Sequence, residues 1–290
     1  MDTVNLQTFI AAAELESFSL AAEQLYLTQP AVSKRVATLE EALGARLFDR
    51  IGRRVSLTEA GRELLPRAKT ILRDIDDSRR LISNLTGTVA GQLSIGTSHH
   101  IGLHRLPPVL RQFSKAYPDV ALDLQFMDSE AACRAVQTGD LELGIVTLPL
   151  EPLADLQSEL IWLDPLDIVV SHDHPLAESS TINFQQLAEH PAILPSSGTY
   201  TRQLLERSVA KAGGKLIAGM TTNYLETIKM MVGVGLGWSV LPRSMLDEEL
   251  VALKIRGMKL TRQLGIVRHR ARTLSNAASA MISTLQSLKG

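Results

Sequence analysis

Phe18-Ser19-Leu20-Ala21-Ala22 with Leu25, then Thr28-Gln29-Pro30-Ala31-Val32-Ser33-Lys34-Arg35, then Leu47-Phe48-Asp49-Arg50 and Leu57-Thr58-Glu59-Ala60-Gly61, decide how this 290-residue chain is read. Upstream, Leu6, Phe9, Ile10 and Ala13 recur at helical spacing. Ser19 reads as the N-cap of a second helix running to about Leu25. Thr28 reads as the N-cap of a third, which tolerates Pro30 because an N–H in the first turn has no intrahelical partner. Val32, Val36 and Leu39 then face inward, while Gln29, Ser33 and Lys34 stay outside. Phe18, Ala21, Ala22, Leu25 and Leu43 are expected to complete this core. Residues 46–57 read as a short hairpin with Gly52 at its tip and Arg50, Arg53 and Arg54 around it. The sum is a winged helix-turn-helix, whose second motif helix is shaped to enter a DNA major groove.

From Glu59 to about Leu85 the pattern becomes a long amphipathic helix. Leu64, Ala68, Ile71, Ile75, Ile82 and Leu85 form an apolar seam with Ser78 at its one polar position, which predicts a coiled-coil partner. Such a helix spans roughly 40 Å. Pro66 inside it predicts a kink or local loosening. Thr86 to Gly91 is small, polar and uncharged, a linker. Strands and helices then alternate. Strands are expected at 93–96, 121–127, 143–146, 168–170, 192–194, 217–221, 238–241 and 264–268, and helices at 103–116, 130–138, 201–212, 225–232 and 275–288. This alternation predicts an α/β region with a parallel sheet.

Net charge is −1, and residues 1–58 alone carry six Lys/Arg against seven Asp/Glu, so bulk charge does not identify a partner. The placement is more telling: all six basic residues lie in or after the third helix, where phosphates would be met. A single cysteine, Cys133, excludes an intrachain disulfide and suits a reducing cytosol, so a cytoplasmic location is expected. The N-terminus carries no signal-type segment. The apolar stretch Met230–Leu241 is too short to span a bilayer, so no membrane partner is expected. Gly233-x-Gly235-x-Gly237 follows a helix and leads into a strand, the reverse of a dinucleotide fingerprint. With no Walker A, no Gly-x-Ser-x-Gly and no readable catalytic set, the chain is not expected to be an enzyme.

The quoted stretches closely resemble the N-terminal signature of LysR-type transcriptional regulators over about the first 60 residues. The resemblance implies an α+β multidomain chain: an N-terminal winged helix-turn-helix over 1–58, a long linker helix and hinge over 59–88, and a C-terminal effector-binding domain over 89–290. The last would be a two-lobed α/β domain resembling periplasmic binding proteins, one lobe from 89–161 with 267–290 and the other from 162–266, hinged by two crossing strands. The resemblance further implies a dimer of dimers on double-stranded DNA bearing an imperfect inverted repeat, a small-molecule effector between the lobes, and RNA polymerase as a further partner. Two other classes stay open: a DNA-binding protein whose C-terminal domain is degenerate and ligand-free, and an enzyme using the α/β region.

For DNA, Gln29 can pair with an adenine edge, and Ser33 can reach a base or phosphate. Pro30 shares that helix start, and Lys34, Arg35 and Arg50 suit phosphates. Arg53 and Arg54 suit a minor groove or the backbone. For the effector, Thr97, Ser98 and His99 stand where the first strand gives way to a helix, and Ser196, Ser197, Gly198 and Thr199 hold the corresponding place in the second lobe. By resemblance, inducers of the family bind between these two segments, and Ser129, Thr147, Thr222 and Asn223 fall where other cleft segments lie. The same hydroxyls could simply cap helices. The mapped positions include no arginine, and a small organic or inorganic anion is the expected effector. His99, His100 and His104 cluster, and His172 and His174 form another pair, yet no Asp, Glu or Cys set stands at convincing ligand spacing nearby. No metal and no cofactor are therefore expected, and His99 or His100 is read as a polar cleft group. Cys133 is read as a small buried hydrophobe rather than a redox sensor.

Overall fold

The computed structural model describes residues 2–51, 54–85, 87–179, 181–211 and 213–288. They form two compact units, Met1–Thr86 and Gly87–Gly290.

The first unit runs α1 (Thr3–Glu14), α2 (Phe18–Gln24), α3 (Gln29–Leu43), β1 (Phe48–Ile51), β2 (Arg54–Leu57) and α4 (Glu59–Asn84). Helix α2 is capped by Ser17, whose side chain accepts from the Leu20 N–H at 3.2 Å. Ser19, the expected cap, already lies in the first turn: Ser17 has the extended backbone that a cap requires. Thr28 holds the cap position of α3 without a side-chain cap bond. The inward set Leu6, Phe9, Phe18, Ala21, Val32, Val36 and Leu39 closes on Phe48 of β1, which meets Phe18 edge-on at 5.2 Å. Leu43 does not join this core: it is 41 % exposed at the end of α3. Glu40 of α3 accepts from the Leu47 and Phe48 N–H groups at 2.7 and 3.3 Å, tying the hairpin to the third helix. Thr58 accepts from the Gly61 N–H at 3.0 Å at the start of α4. A Cβ on Gly61 would strike the Leu47 carbonyl, so the motif that opens α4 needs glycine for this close approach.

Helix α4 continues through Pro66. Its expected seam divides in two. Ala68 is fully buried, and Leu64, Leu65, Ile71 and Leu72 pack against the core of their own unit. Farther along, Leu81, Ile82 and Leu85 are 51, 69 and 82 % exposed. The first half of the seam is thus filled within the chain, because α4 starts on the helix-turn-helix before it extends beyond it.

The second unit runs β3 (Gly91–Thr97), α5 (His99–His104), α6 (Leu106–Ala116), β4 (Val120–Phe126), α7 (Ser129–Thr138), β5 (Leu143–Thr147), β6 (Leu156–Ser171), α8 (Phe184–Ala188), β7 (Ile193–Leu194), α9 (Tyr200–Lys211), β8 (Met220–Thr221), α10 (Leu225–Gly233), β9 (Ser239–Pro242), β10 (Leu250–Leu253), β11 (Leu260–His269) and α11 (Asn276–Ser287). The expected parallel sheet is mixed. Strand β3 pairs in parallel with β4 and β5, and β7 with β8. The long strands β6 and β11 pair antiparallel with each other, and β11 also lies antiparallel to β5. The alternation rule holds within each βαβ unit, but the two connecting strands enter in the opposite sense. The strand expected at 217–221 shrinks to two residues, and that at 168–170 is the end of a 16-residue strand.

Two cores result. One holds Ile95, Phe113, Leu143, Trp162, Ile266 and Met281, with Cys133, Val136 and Val267 on the other sheet face. The second holds Leu166, Ile168, Leu205, Trp238 and Leu260, with Ile228, Val232 and Leu241 opposite. Each such side chain contributes about 1.5–3 kcal/mol on burial. Strands β6 and β11 serve both cores, and their register slips between Leu264 and Gly265. A Cβ on Gly265 would collide with the Glu159 carbonyl, so the slip keeps a glycine. No described helix is long and apolar enough to cross a membrane.

Candidate functional site

On α3, Gln29 and Pro30 are exposed, Lys34 is exposed, and Ser33 and Arg35 are half-buried. Gln29 Nε2 donates to Ser33 Oγ at 3.0 Å, which fixes the amide one turn from its neighbour on the outward face. Arg53 lies outside the described residues, as do the side chains of Arg50 and Arg54. Tyr26, unremarked in the sequence, sits in the turn before α3 with φ 54° and is 96 % exposed.

In the second unit a cavity of about 460 Å³ opens between the two cores. Ser98, His99, Ser129 and Thr147 line it from the first lobe, and Ser196, Thr199 and Asn223 from the second. Four expected residues are not on its wall. Thr97 is fully buried and donates to the Ile145 carbonyl at 2.8 Å, locking β3 to β5. Ser197 and Gly198 are exposed in the turn before α9, and Thr222 accepts from the Tyr224 N–H at 3.4 Å, outside the cavity.

Several lining hydroxyls already carry structural bonds. Ser98 caps α5 by accepting from the Ile101 N–H at 3.4 Å. Ser129 accepts from the Thr147 N–H at 3.0 Å, and Thr199 donates to the Ser196 carbonyl at 3.0 Å. Asn223 bridges the cleft: its Oδ1 accepts from the Ser196 N–H at 2.9 Å and its Nδ2 donates to Asp128 at 2.7 Å. Glu130 accepts from the Tyr200 N–H across the same gap, and burial raises its carboxyl above the ordinary range. His99 sits between Phe126 of the first lobe and Tyr224 of the second, with ring centres 5.2 and 5.0 Å away.

The positions mapped from the sequence include no arginine, but the cavity has one. Arg262, on β11, lines the cavity and is 6 % exposed. Its Nε donates to Asp164 Oδ2 at 2.6 Å and its Nη1 to Thr201 at 3.4 Å, while Nη2 has no partner among the described residues. Asp164 also accepts from Arg105 at 3.1 Å. Burial pulls the Arg262 guanidinium below its usual range, against the pull of Asp164. His100, 3 % exposed beside it, is pushed down to about 3 by burial and then by the Arg262 charge, so it is neutral. Sequence spacing offers these histidines no acidic partner, but the fold brings one: Glu226 of α10 meets His104 Nε2 at 3.2 Å. Cys133 is 1 % exposed on α7, and burial pushes its thiol up to about 11, which leaves little thiolate to react.

Comparison with known proteins accounts for both units. The family described as "Bacterial regulatory helix-turn-helix protein, lysR family" matches residues 4–62, and "LysR substrate binding domain" matches residues 86–289. The RuBisCO operon transcriptional regulator of Allochromatium vinosum is 31 % identical over 280 residues, covering 95 % of this chain and 92 % of that protein. Among solved structures, a full-length OxyR from Pseudomonas aeruginosa superposes with a TM-score of 0.72 at 24 % identity, covering 99 % of this chain and 95 % of that one. Full-length CbnR in complex with its target DNA superposes with a TM-score of 0.69 at 20 % identity, covering 99 % of both chains. The chain therefore belongs to the LysR family of transcriptional regulators: it is a DNA-binding regulator with an effector-binding domain, and not an enzyme.

Proposed function

We propose that this regulator answers to a small anion held in the cavity between its two lobes. The unpartnered Nη2 of buried Arg262 is the observation that carries this reading, since a buried N–H without an acceptor costs about 1–3 kcal/mol that an anionic oxygen would relieve. Ser98, His99, Ser129, Thr147, Ser196, Thr199 and Asn223 supply the polar wall. Thr147 and Ser196 make no side-chain hydrogen bond found among the described residues, which leaves their hydroxyls for the ligand. The test is a thermal-shift screen of carboxylates, phosphate and sulfate against the full-length protein in buffer containing EDTA. A ligand at 100 times its Kd adds about 2.7 kcal/mol to stability. Thr147→Val, which removes one hydroxyl, is expected to weaken the hit by about 1.5–3 kcal/mol if the bond is charge-assisted. A screen with no anionic hit, or a hit indifferent to Thr147→Val, sinks the assignment.

At the other end of the chain, Gln29 and Ser33 would read base edges while Lys34, Arg35, Arg50, Arg53 and Arg54 hold phosphates, with two copies paired through the exposed end of α4 on an imperfect inverted repeat and two such pairs forming a tetramer. Effector-dependent lobe closure would change how those heads meet DNA and RNA polymerase. Gln29→Ala is expected to lose about 1–3 kcal/mol of discrimination at one base position while keeping its salt dependence. Fluorescence anisotropy on matched and mismatched operators reads both quantities, and unchanged specificity excludes Gln29 as a base reader.

A further inference from the structure

A second cluster of polar side chains shares one wall residue with the cavity, His100, and is not used by the effector reading. His100 and His104 stand four residues apart on α5, so their rings share one face, with centres 4.7 Å apart. Glu226 arrives from the first turn of α10 in the other lobe. Its Oε1 lies 3.2 Å from His104 Nε2 and 3.9 Å from His100 Nδ1. One ligand atom from each residue falls within 4.8 Å of the others.

A plain His104–Glu226 ion pair would account for only part of this arrangement. It leaves His100 buried, 3 % exposed, with neither ring nitrogen bonded to any described residue. A buried imidazole with two orphan nitrogens asks for a partner. We propose that His100, His104 and Glu226 form a divalent transition-metal site, matched to Zn2+, that staples the first lobe to the second. Two imidazoles and one carboxylate are a zinc ligand set that leaves a fourth position for water or an anionic donor. Zinc bonds of about 2.0–2.2 Å place tetrahedral ligands roughly 3.3 Å apart, so no ligand pair needs to close by more than about 1.5 Å, within reach of the half-exposed His104 and Glu226 side chains. Arg262 and Arg105 are the charges nearby that oppose a cation; both pair with Asp164, and Glu226 adds a further negative charge. The site stands apart from the anion reading, which is tested in the presence of chelator.

The test uses full-length protein stripped with EDTA, exchanged into chelator-free buffer and titrated calorimetrically with ZnCl2. One zinc per chain is expected. His104→Gln and Glu226→Gln, both at half-exposed positions that can change without unfolding the domain, are each expected to weaken binding by more than the roughly 10–100-fold that loss of an outer-shell partner costs. Co2+ in place of zinc should give the visible absorption of a four-coordinate ion in the parent and lose it in both variants. His174→Gln, which alters the separate His174–His190 pair, should bind zinc like the parent. Absence of stoichiometric binding overturns the proposal. So does affinity that survives both His104→Gln and Glu226→Gln, or that disappears in His174→Gln.

Discussion

Asp164→Ala is expected to destabilise residues 87–290 by about 3–5 kcal/mol, the cost of removing one member of a buried charge pair. Asp164 is 1 % exposed on β6 and accepts from Arg262 on β11 and from Arg105 between α5 and α6. Its loss strands the buried Arg262 guanidinium, which already has one unpartnered nitrogen. At roughly 2–4 °C per kcal/mol for a domain of this size, the melting temperature should fall by about 6–20 °C. Asp164→Asn keeps the volume but loses the charge and turns one acceptor oxygen into an N–H donor, so its share of the drop reports the charge and one arginine bond without a cavity. Differential scanning calorimetry reads both. A melting temperature within 2 °C of the parent for Asp164→Ala would show that Arg262 finds its stabilisation elsewhere.

The other large effect concerns α4, whose two halves should respond in opposite ways to the same change. Ile71 packs on the core of its own unit, so Ile71→Asp places a carboxylate in apolar surroundings and should unfold the helix-turn-helix. Ile82 and Leu85 are exposed, so the pair Ile82→Asp and Leu85→Asp should leave the fold of each chain intact. If these side chains meet a second copy, each loses about 1.5–3 kcal/mol of apolar burial, on both partners. Dimers should then dissociate at micromolar concentration and operator affinity should fall with them. Sedimentation together with circular dichroism separates the outcomes: unchanged mass in the double variant removes the end of α4 from the assembly.

The helix-turn-helix was readable because its pattern is local. Val32, Val36 and Leu39 repeat at helical spacing and are all fully buried. The misplaced cap, Ser19 for Ser17, is a two-residue error of the kind local rules cannot resolve when two serines flank one helix start. The cleft was harder, since its chemistry comes from distant segments. The hydroxyls at 98 and 199 were visible as residues that precede helices. The strand expected at 264–268 leaves Arg262 outside it, whereas the strand begins at Leu260. Begun at Leu260, the alternation of buried Leu260, Arg262 and Leu264 puts a charged residue on an inward face, and a buried arginine asks for an anion. Nothing local links Glu226 to His104, 122 residues away; only the packing of α10 against the first lobe brings them together.

Because β6 and β11 run unbroken from one core into the other, neither lobe owns a complete sheet. A gene fragment encoding one lobe would carry half of each ribbon with its hydrogen-bonding edge bare, a template for aggregation rather than a folding unit. The lobes share a fate during synthesis as well. β11 closes the sheet from residues 260–269, so a ribosome must finish nearly the whole chain before either core can be sealed. Strand continuity makes any reorientation of the lobes a twist of a paired ribbon rather than the swing of a loose tether, and a twisted ribbon restores itself when the load is released.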